Sequence, residues 1–193
     1  DTERFLLYRV ERIDPAQAPT IDGELDEPVW QERPALTSLR NFLGPLTGDL
    51  PTQRSEFCIM TDGPTLYIGA TFHDQKMDAL AANPAAAPYW NDCTEIYFDP
   101  RHDGRMSIQL TVDCLGQRFW QRRMNEGAGW RTDAARDILA QWRSAVTRGK
   151  TAWYIELAID AASFDIDTEP GSVCGFNAGR FRLGAENQEF SAW

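Results

Sequence analysis

Nowhere in the chain does an apolar stripe hold helical spacing for more than a short stretch; what recurs instead is strict alternation. Ser107 to Asp113 is the cleanest case, with Ile108, Leu110 and Val112 on one side and Ser107, Gln109, Thr111 and Asp113 on the other. Leu66 to His73 repeats the pattern, with Leu66, Ile68, Ala70 and Phe72 facing one way. It follows Ser55 to Met60 across Asp62-Gly63-Pro64, so the two read as a hairpin. Ala152 to Asp160 alternates as well, with Trp153, Ile155, Leu157 and Ile159 inward. Short strands with turn signals between them predict an all-β sandwich of roughly nine or ten strands.

The remaining segments fit that class. Phe5 to Ile13 reads as a first strand, Arg118 to Arg122 as a strand with Phe119 inward, Trp142 to Thr147 as another, and Val173 to Leu183 as the last long one. Asn41 to Pro51 and Asn125 to Gln141 read as loops, and Ala161 to Phe164 as a brief helical corner. Asp26 is placed to cap a helical turn with Pro28 in its first turn and Trp30 anchoring it to the core. Trp142 and Trp153 are core candidates as well. No internal repeat or low-complexity tail is present, and a length of 193 residues reads as one domain spanning residues 1–193.

Charge narrows the partners. A formal net charge of −10 leaves no basic surface for nucleic acid or for an anionic membrane. No stretch is long and apolar enough to span a bilayer. The chain begins at Asp1 without a signal-like apolar run, as expected of a mature or trimmed protein. Cys58, Cys93, Cys114 and Cys174 show no C-x-x-C spacing, which removes zinc-ribbon and thioredoxin readings. They allow two disulfides in any connectivity, but a chain of this size does not need them, so free thiols are the expectation.

The chemistry concentrates in Pro88 to Pro100, where Tyr89 and Trp90 precede an acidic segment that becomes a strand. On that strand Ile96 and Phe98 point one way, and Glu95, Tyr97 and Asp99 the other. Flat rings beside a carboxylate are what a sugar asks of a protein: C–H faces stack on the rings and hydroxyls bond the acid. If neighbouring strands pair in order, the patch extends over Gln109, Thr111 and Asp113 and over Arg118, Trp120 and Arg122. A solvated face with cross-strand ion pairs is the plainer reading of the same residues.

Several segments occur in an order that resembles a family 9 carbohydrate-binding module. They are Ile21-Asp22-Gly23-Glu24-Leu25-Asp26-Glu27 with Trp30, Leu66-Tyr67-Ile68-Gly69, Asp92 to Pro100, Trp153 to Ile159, and Gly175 to Arg180. The resemblance implies an immunoglobulin-like, DOMON-related antiparallel β-sandwich that binds a sugar between two aromatic side chains. Tyr89 falls where the family places one tryptophan, with Trp90 a place later; Trp193 matches the second aromatic and Glu95 the sugar-binding glutamate. Gln109, Arg118, Trp120 and Asn177 are further candidate hydroxyl or ring contacts. The family carries structural calcium, for which Asp99 and Asp103 are the candidate ligands; Asp22, Glu24 and Asp26 lack the alternating set of an EF-hand loop. The resemblance also implies a secreted, periplasmic or cell-surface location, a role in polysaccharide catabolism, and fusion or association with a glycoside hydrolase.

Two other classes compete. A glycoside-processing enzyme would need a second carboxylate held opposite Glu95, for which Asp99 and Asp113 are the candidates. A haem-binding electron-transfer domain of the DOMON type would draw on His73, Met60 and Met106. His73 and His102 are the only imidazoles, and no Ser-His-Asp or Cys-His signature accompanies them.

Overall fold

In the computed structural model, which describes residues 6–33, 35–44, 46–125, 130–133, 141–186 and 188–193, the alternating stretches become strands of two facing sheets. In chain order the strands are β1 (Glu11–Arg12), β2 (Arg40–Asn41), β3 (Ser55–Thr61), β4 (Thr65–His73), β5 (Cys93–Asp99) and β6 (Met106–Asp113). They continue as β7 (Arg118–Asn125), β8 (Trp130–Asp133), β9 (Trp142–Arg148), β10 (Ala152–Asp160), β11 (Gly175–Arg182) and β12 (Glu189–Ala192). The smaller sheet has five strands in the order β1-β3-β4-β10-β9; the larger has seven, in the order β2-β12-β11-β5-β6-β7-β8. Every ladder is antiparallel except β1 on β3. The architecture is the expected β-sandwich.

The apolar half of each alternation fills the space between the sheets. Phe57, Ile68, Phe72, Ile155 and Leu157 meet Ile96, Ile108, Leu110 and Ala178 there, all buried. Trp153 stacks on its ladder neighbour Phe72 with centroids 4.1 Å apart. The four cysteines are free, and burial pushes the Cys93 thiol well above its usual range. One end of the core is closed by ions. Arg180, 2% exposed, donates to Asp74 at 3.0 Å, and Arg182 reaches the same carboxylate at 2.6 Å. Burial alone would raise the Asp74 pKa, but these donors and the Lys76 N–H outweigh it and hold the acid below its ordinary value.

The outer face of the smaller sheet is covered by the chain between Ile21 and Gln31. Glu156 projects from β10 on that side and accepts from Asp22 N at 2.9 Å, Gly23 N at 2.8 Å and Trp30 Nε1 at 2.8 Å. Its ladder partner on β4 is Gly69. A Cβ there would lie 2.7 Å from Leu25 Cδ2 and 2.9 Å from Trp30 Cε3, so only glycine lets the indole lie flat on the sheet. Trp30, Val29, Tyr67, Met60 and Ala158 form a second apolar cluster around this seat. Three of the sequence segments quoted above are thus one physical unit: a turn, a glycine under an indole, and the carboxylate that holds both.

The structure differs from the sequence reading in five places. Of the predicted Phe5–Ile13 strand, only Glu11–Arg12 pairs within the described residues. The helical turn at Pro28–Gln31 starts from Glu27 rather than Asp26, and no side chain caps it. Strand β8 lies inside the predicted 125–141 loop; residues 126–129 and 134–140 of that loop fall outside the described residues. The short β2 and β12 were not anticipated. The phase of β7 is reversed: Leu110 pairs Trp120 and Val112 pairs Arg118, so these face the core, while Phe119 faces out with Thr111. Charge at Arg118 and Arg122 suggested the wrong face. Both guanidinium groups lie where the sandwich ends, with Arg118 donating to Trp142 O at 2.7 Å over the Trp142 ring and Arg122 lying 3.6 Å from Asp165.

Truncating Glu156 to alanine strands two buried donors, Gly23 N and Trp30 Nε1, each costing about 1–3 kcal/mol, and the part-buried Asp22 N as well. Urea unfolding of Glu156→Ala is therefore expected to show a loss of at least about 2 kcal/mol. A loss below about 1 kcal/mol would show that the covering segment does not depend on this carboxylate.

Candidate functional site

The outer face of the larger sheet carries a cleft of about 770 Å³. Its floor follows from the ladder register. Glu95 on β5, Thr111 on β6 and Phe119 on β7 lie side by side, and Tyr97, Gln109 and Gln121 form the next row. Side chains along such a row share a face and stand about 4.8 Å apart. Tyr97 donates its hydroxyl to Glu95 Oε2, Gln121 Nε2 donates to Gln109 Oε1, and Gln109 Nε2 donates to Thr111 Oγ1 at 3.3 Å. The floor is a braced polar network, and Glu95 is the only charged side chain among the described lining residues.

Glu95 is 6% exposed. Burial pushes its pKa up, and hydrogen bonds from Tyr97 and Gln109 offset part of that rise. Burial and the bond to Glu95 both raise the Tyr97 phenol, so the proton stays on the hydroxyl and the acid remains the acceptor.

Aromatic walls stand on either side. One is the single 3-10 turn Pro88–Trp90, with Tyr89 39% and Trp90 68% exposed. Tyr89 packs its ring edge-on to Phe119 at 5.2 Å and lies 5.8 Å from Trp90. The opposite wall is Phe181 on β11 and Phe190 on β12, ladder partners with ring centroids 5.4 Å apart, continued by Leu183 and Gln188.

Asn91 and Asp92 fix both walls. Asn91, fully buried, accepts from Asn83 N and donates to Asp113 Oδ2 at 2.7 Å and Gln117 Oε1 at 3.2 Å, tying the Tyr89–Trp90 turn to the β6–β7 connection. Asp92 Oδ2 accepts from Ala81 N at 2.7 Å on the first wall and from Gly184 N at 2.8 Å on the second. The walls touch there: a Cβ on Gly184 would lie 2.0 Å from Ala79 O. Burial raises the Asp92 pKa against the pull of those two N–H groups.

Tyr89, Trp90, Glu95 and Gln109 thus come together as lining residues. Asn177 lies on the same face beside Tyr97 but outside the cleft lining. Trp193 does not form the second wall. Its N–H donates to Ala178 O at 3.1 Å, and its ring packs toward Phe176 and the core, because β12 residues paired to inward Arg180 and Ala178 face inward too. Arg118 and Trp120 are on the core side of β7, as described above. Asp99 and Asp103 serve a turn: Asp99 Oδ2 accepts from Gly104 N at 2.7 Å and Asp103 Oδ1 from Arg105 N at 2.9 Å. Among the described residues no cluster of three or more His, Cys, Asp or Glu is placed to hold a metal ion. Phe119, Gln121, Phe181 and Phe190 were missed as lining residues. Period two alone carries Asn177 to Phe181 on one face of β11, and that signal was present in the sequence.

No curated protein sequence matches the chain. Solved structures do. A protein from Bacteroides uniformis ATCC 8492 superposes with a TM-score of 0.66 at 13% identity, over 95% of this chain and 87% of that one. A family 9 carbohydrate-binding module from Caldicellulosiruptor kristjanssonii in complex with glucose gives 0.63 at 19% identity, over 95% and 82%. The cellotriose complex of a family 9 module from the same organism gives 0.64 at 18%, over 95% and 80%. At these identities the likeness establishes the fold. The model of the carbohydrate family 9 binding domain-like family matches residues 21–193, nearly the whole chain, and the chain belongs to that family.

Proposed function

We propose that this protein is a non-catalytic carbohydrate-binding module, a single domain over residues 1–193, that holds a pyranose ring in the cleft above Glu95. The observation that carries the reading is the cleft itself: two aromatic walls over a floor of one carboxylate and paired amides. Tyr89 and Trp90 on one side and Phe181 and Phe190 on the other offer faces and edges to sugar C–H groups. Glu95 and the Gln109–Gln121 pair accept and donate hydroxyl hydrogen bonds, those to the carboxylate being the stronger. Family membership and the glucose and cellotriose complexes of family 9 modules from Caldicellulosiruptor kristjanssonii support the same reading. Such a module would work where polysaccharide is met, outside the cytoplasm, beside or fused to a glycoside hydrolase.

The competing classes fit the geometry poorly. Asp99 lies on Glu95's own strand, about 13 Å along it, beyond the roughly 6.5–9.5 Å between the carboxyls of an inverting glycosidase. Asp113, fully buried, is engaged by Asn91 and by the N–H groups of Leu115 and Gln117. For haem, Met106 sits in the main core, Met60 in the second cluster, and His73 bonds Glu56 at 3.1 Å, so they lie on separate surfaces.

Calorimetry against a panel of neutral mono- and oligosaccharides tests the reading. Trp90→Ala is expected to lose roughly tenfold or more in Kd while the unfolding free energy stays within about 0.5 kcal/mol. Unchanged affinity in this variant would remove Trp90 from the site. Acidification adds a second check. A raised Glu95 pKa means the acid gains its proton above the ordinary glutamate value of 4.5, so affinity falls from that higher pH downward as the acceptor is lost. Glu95→Gln should flatten this pH profile; a profile identical to wild type would show that Glu95 does not touch the ligand.

A further inference from the structure

The register places more on this face than one sugar ring needs. From Glu95 the row runs across Gly179 on β11 and Ala192 on β12 to Arg40 on β2. The side chains there are a hydrogen and a methyl, so the strip is low; Gly179 is itself buried, with the edge of the Phe181 ring 3.7 Å from where a Cβ would stand. Alongside it runs a higher row, Phe181, Phe190 and Phe42, in which Phe42 N donates to Phe190 O at 2.8 Å and the Phe42 ring meets Phe181 at 6.0 Å. Phe42 is 48% exposed, and Leu43 beside it is also exposed. The backbone that carries the ring is tied down: buried Asn41 accepts from Gly48 N at 2.6 Å through its carbonyl and donates its N–H to Asp49 O at 3.0 Å. A solvent-facing ring on a hydrogen-bonded backbone, continuous with an aromatic wall, offers a platform to a ligand.

We propose that the cleft continues as a shallow trough over Gly179 and Ala192 to the edge strand β2, where Phe42 receives the further pyranose rings of an oligosaccharide, one ring of which sits over Glu95. The inference rests on the carbohydrate reading above. From β5 to β2 is three strand spacings, roughly 14 Å, which is more than one pyranose ring spans. The Phe42 ring supplies the stacking surface for the distal rings, and Arg40 closes the strip with guanidinium donors for their hydroxyls. The ligand class is therefore a neutral oligosaccharide lying across the strands, and its affinity depends on chain length.

The test is calorimetry with glucose, xylose and mannose and their β-1,4-linked oligomers up to the pentasaccharide, on wild type, Phe42→Ala and Ala192→Leu. Neither Phe42 nor Ala192 lines the cleft, and the monosaccharide Kd reports any disturbance passed to the Phe181 wall. For the series that binds, wild-type affinity is expected to climb about tenfold from monosaccharide to oligomer. Each variant should keep the monosaccharide Kd within about twofold and lose most of that gain, Phe42→Ala by removing the platform and Ala192→Leu by filling the strip. Equal wild-type affinity at every length, or equal weakening of monosaccharide and oligomer in the variants, overturns the trough and leaves the single-ring site standing. Absence of any saccharide binding by wild type overturns both. Sedimentation is the remaining arm: wild-type self-association abolished by Phe42→Ala would assign the ring to a second copy of the chain and overturn the proposal.

Discussion

One buried carboxylate oxygen, Asp92 Oδ2, holds the two walls of the cleft at a fixed separation. It accepts from the backbone N–H groups of Ala81 and Gly184, which belong to loops more than a hundred residues apart in the chain. The first loop is held further by Asp92 N on Ala81 O at 2.8 Å and by the Asn83–Asn91 pair, but Asp92 Oδ2 joins it directly to the Gly184 loop. Asn91, the preceding residue, does the same for the Tyr89–Trp90 turn from the other side. Backbone donors and carbonyls that would otherwise be stranded are thereby satisfied by two adjacent side chains. The cost of burying a carboxyl there appears as the raised Asp92 pKa, and the return is a site whose aromatic rings are pre-positioned before any ligand arrives.

The opposite side of the sandwich solves a different problem with the same chemistry. Gly69 and Glu156 are ladder partners, and together they seat the Ile21–Gln31 segment on the smaller sheet. This shields apolar residues such as Met60 and Tyr67 that a sheet exposed on one face could not carry. The larger sheet thus carries an open cleft on its outer face, while the smaller sheet has its outer face covered by its own chain.

Much of this was legible in the residues because period two is a strong signal where one face is uniformly apolar. Ile108, Leu110 and Val112, or Leu66 to Phe72, admit no other phase. It failed on β7, where Arg118, Phe119, Trp120 and Gln121 offer no clean alternation. There the strand's phase is set by its pairing with β6, which sequence reasoning could not see. The same limit hid the second wall. Trp193 was a plausible partner for Tyr89 by residue type, but β12 turns it inward, and phenylalanines one position out of phase take the place. Glu95 lines the cleft on the face its alternation expects, while its bracing by Tyr97 from two positions along the same strand depends on both side chains leaning together over the cleft. Asp99 and Asp103 show the converse case: acids beside a glycine turn are consumed by backbone N–H groups.

The central claim is that the space between the Tyr89–Trp90 and Phe181–Phe190 walls is where a sugar sits. A crystal structure of the protein soaked with the best-binding oligosaccharide tests it directly. A pyranose ring is expected between those walls, with a hydroxyl within hydrogen-bond distance of Glu95. Sugar density elsewhere on the molecule, with this cleft holding only water, would contradict it.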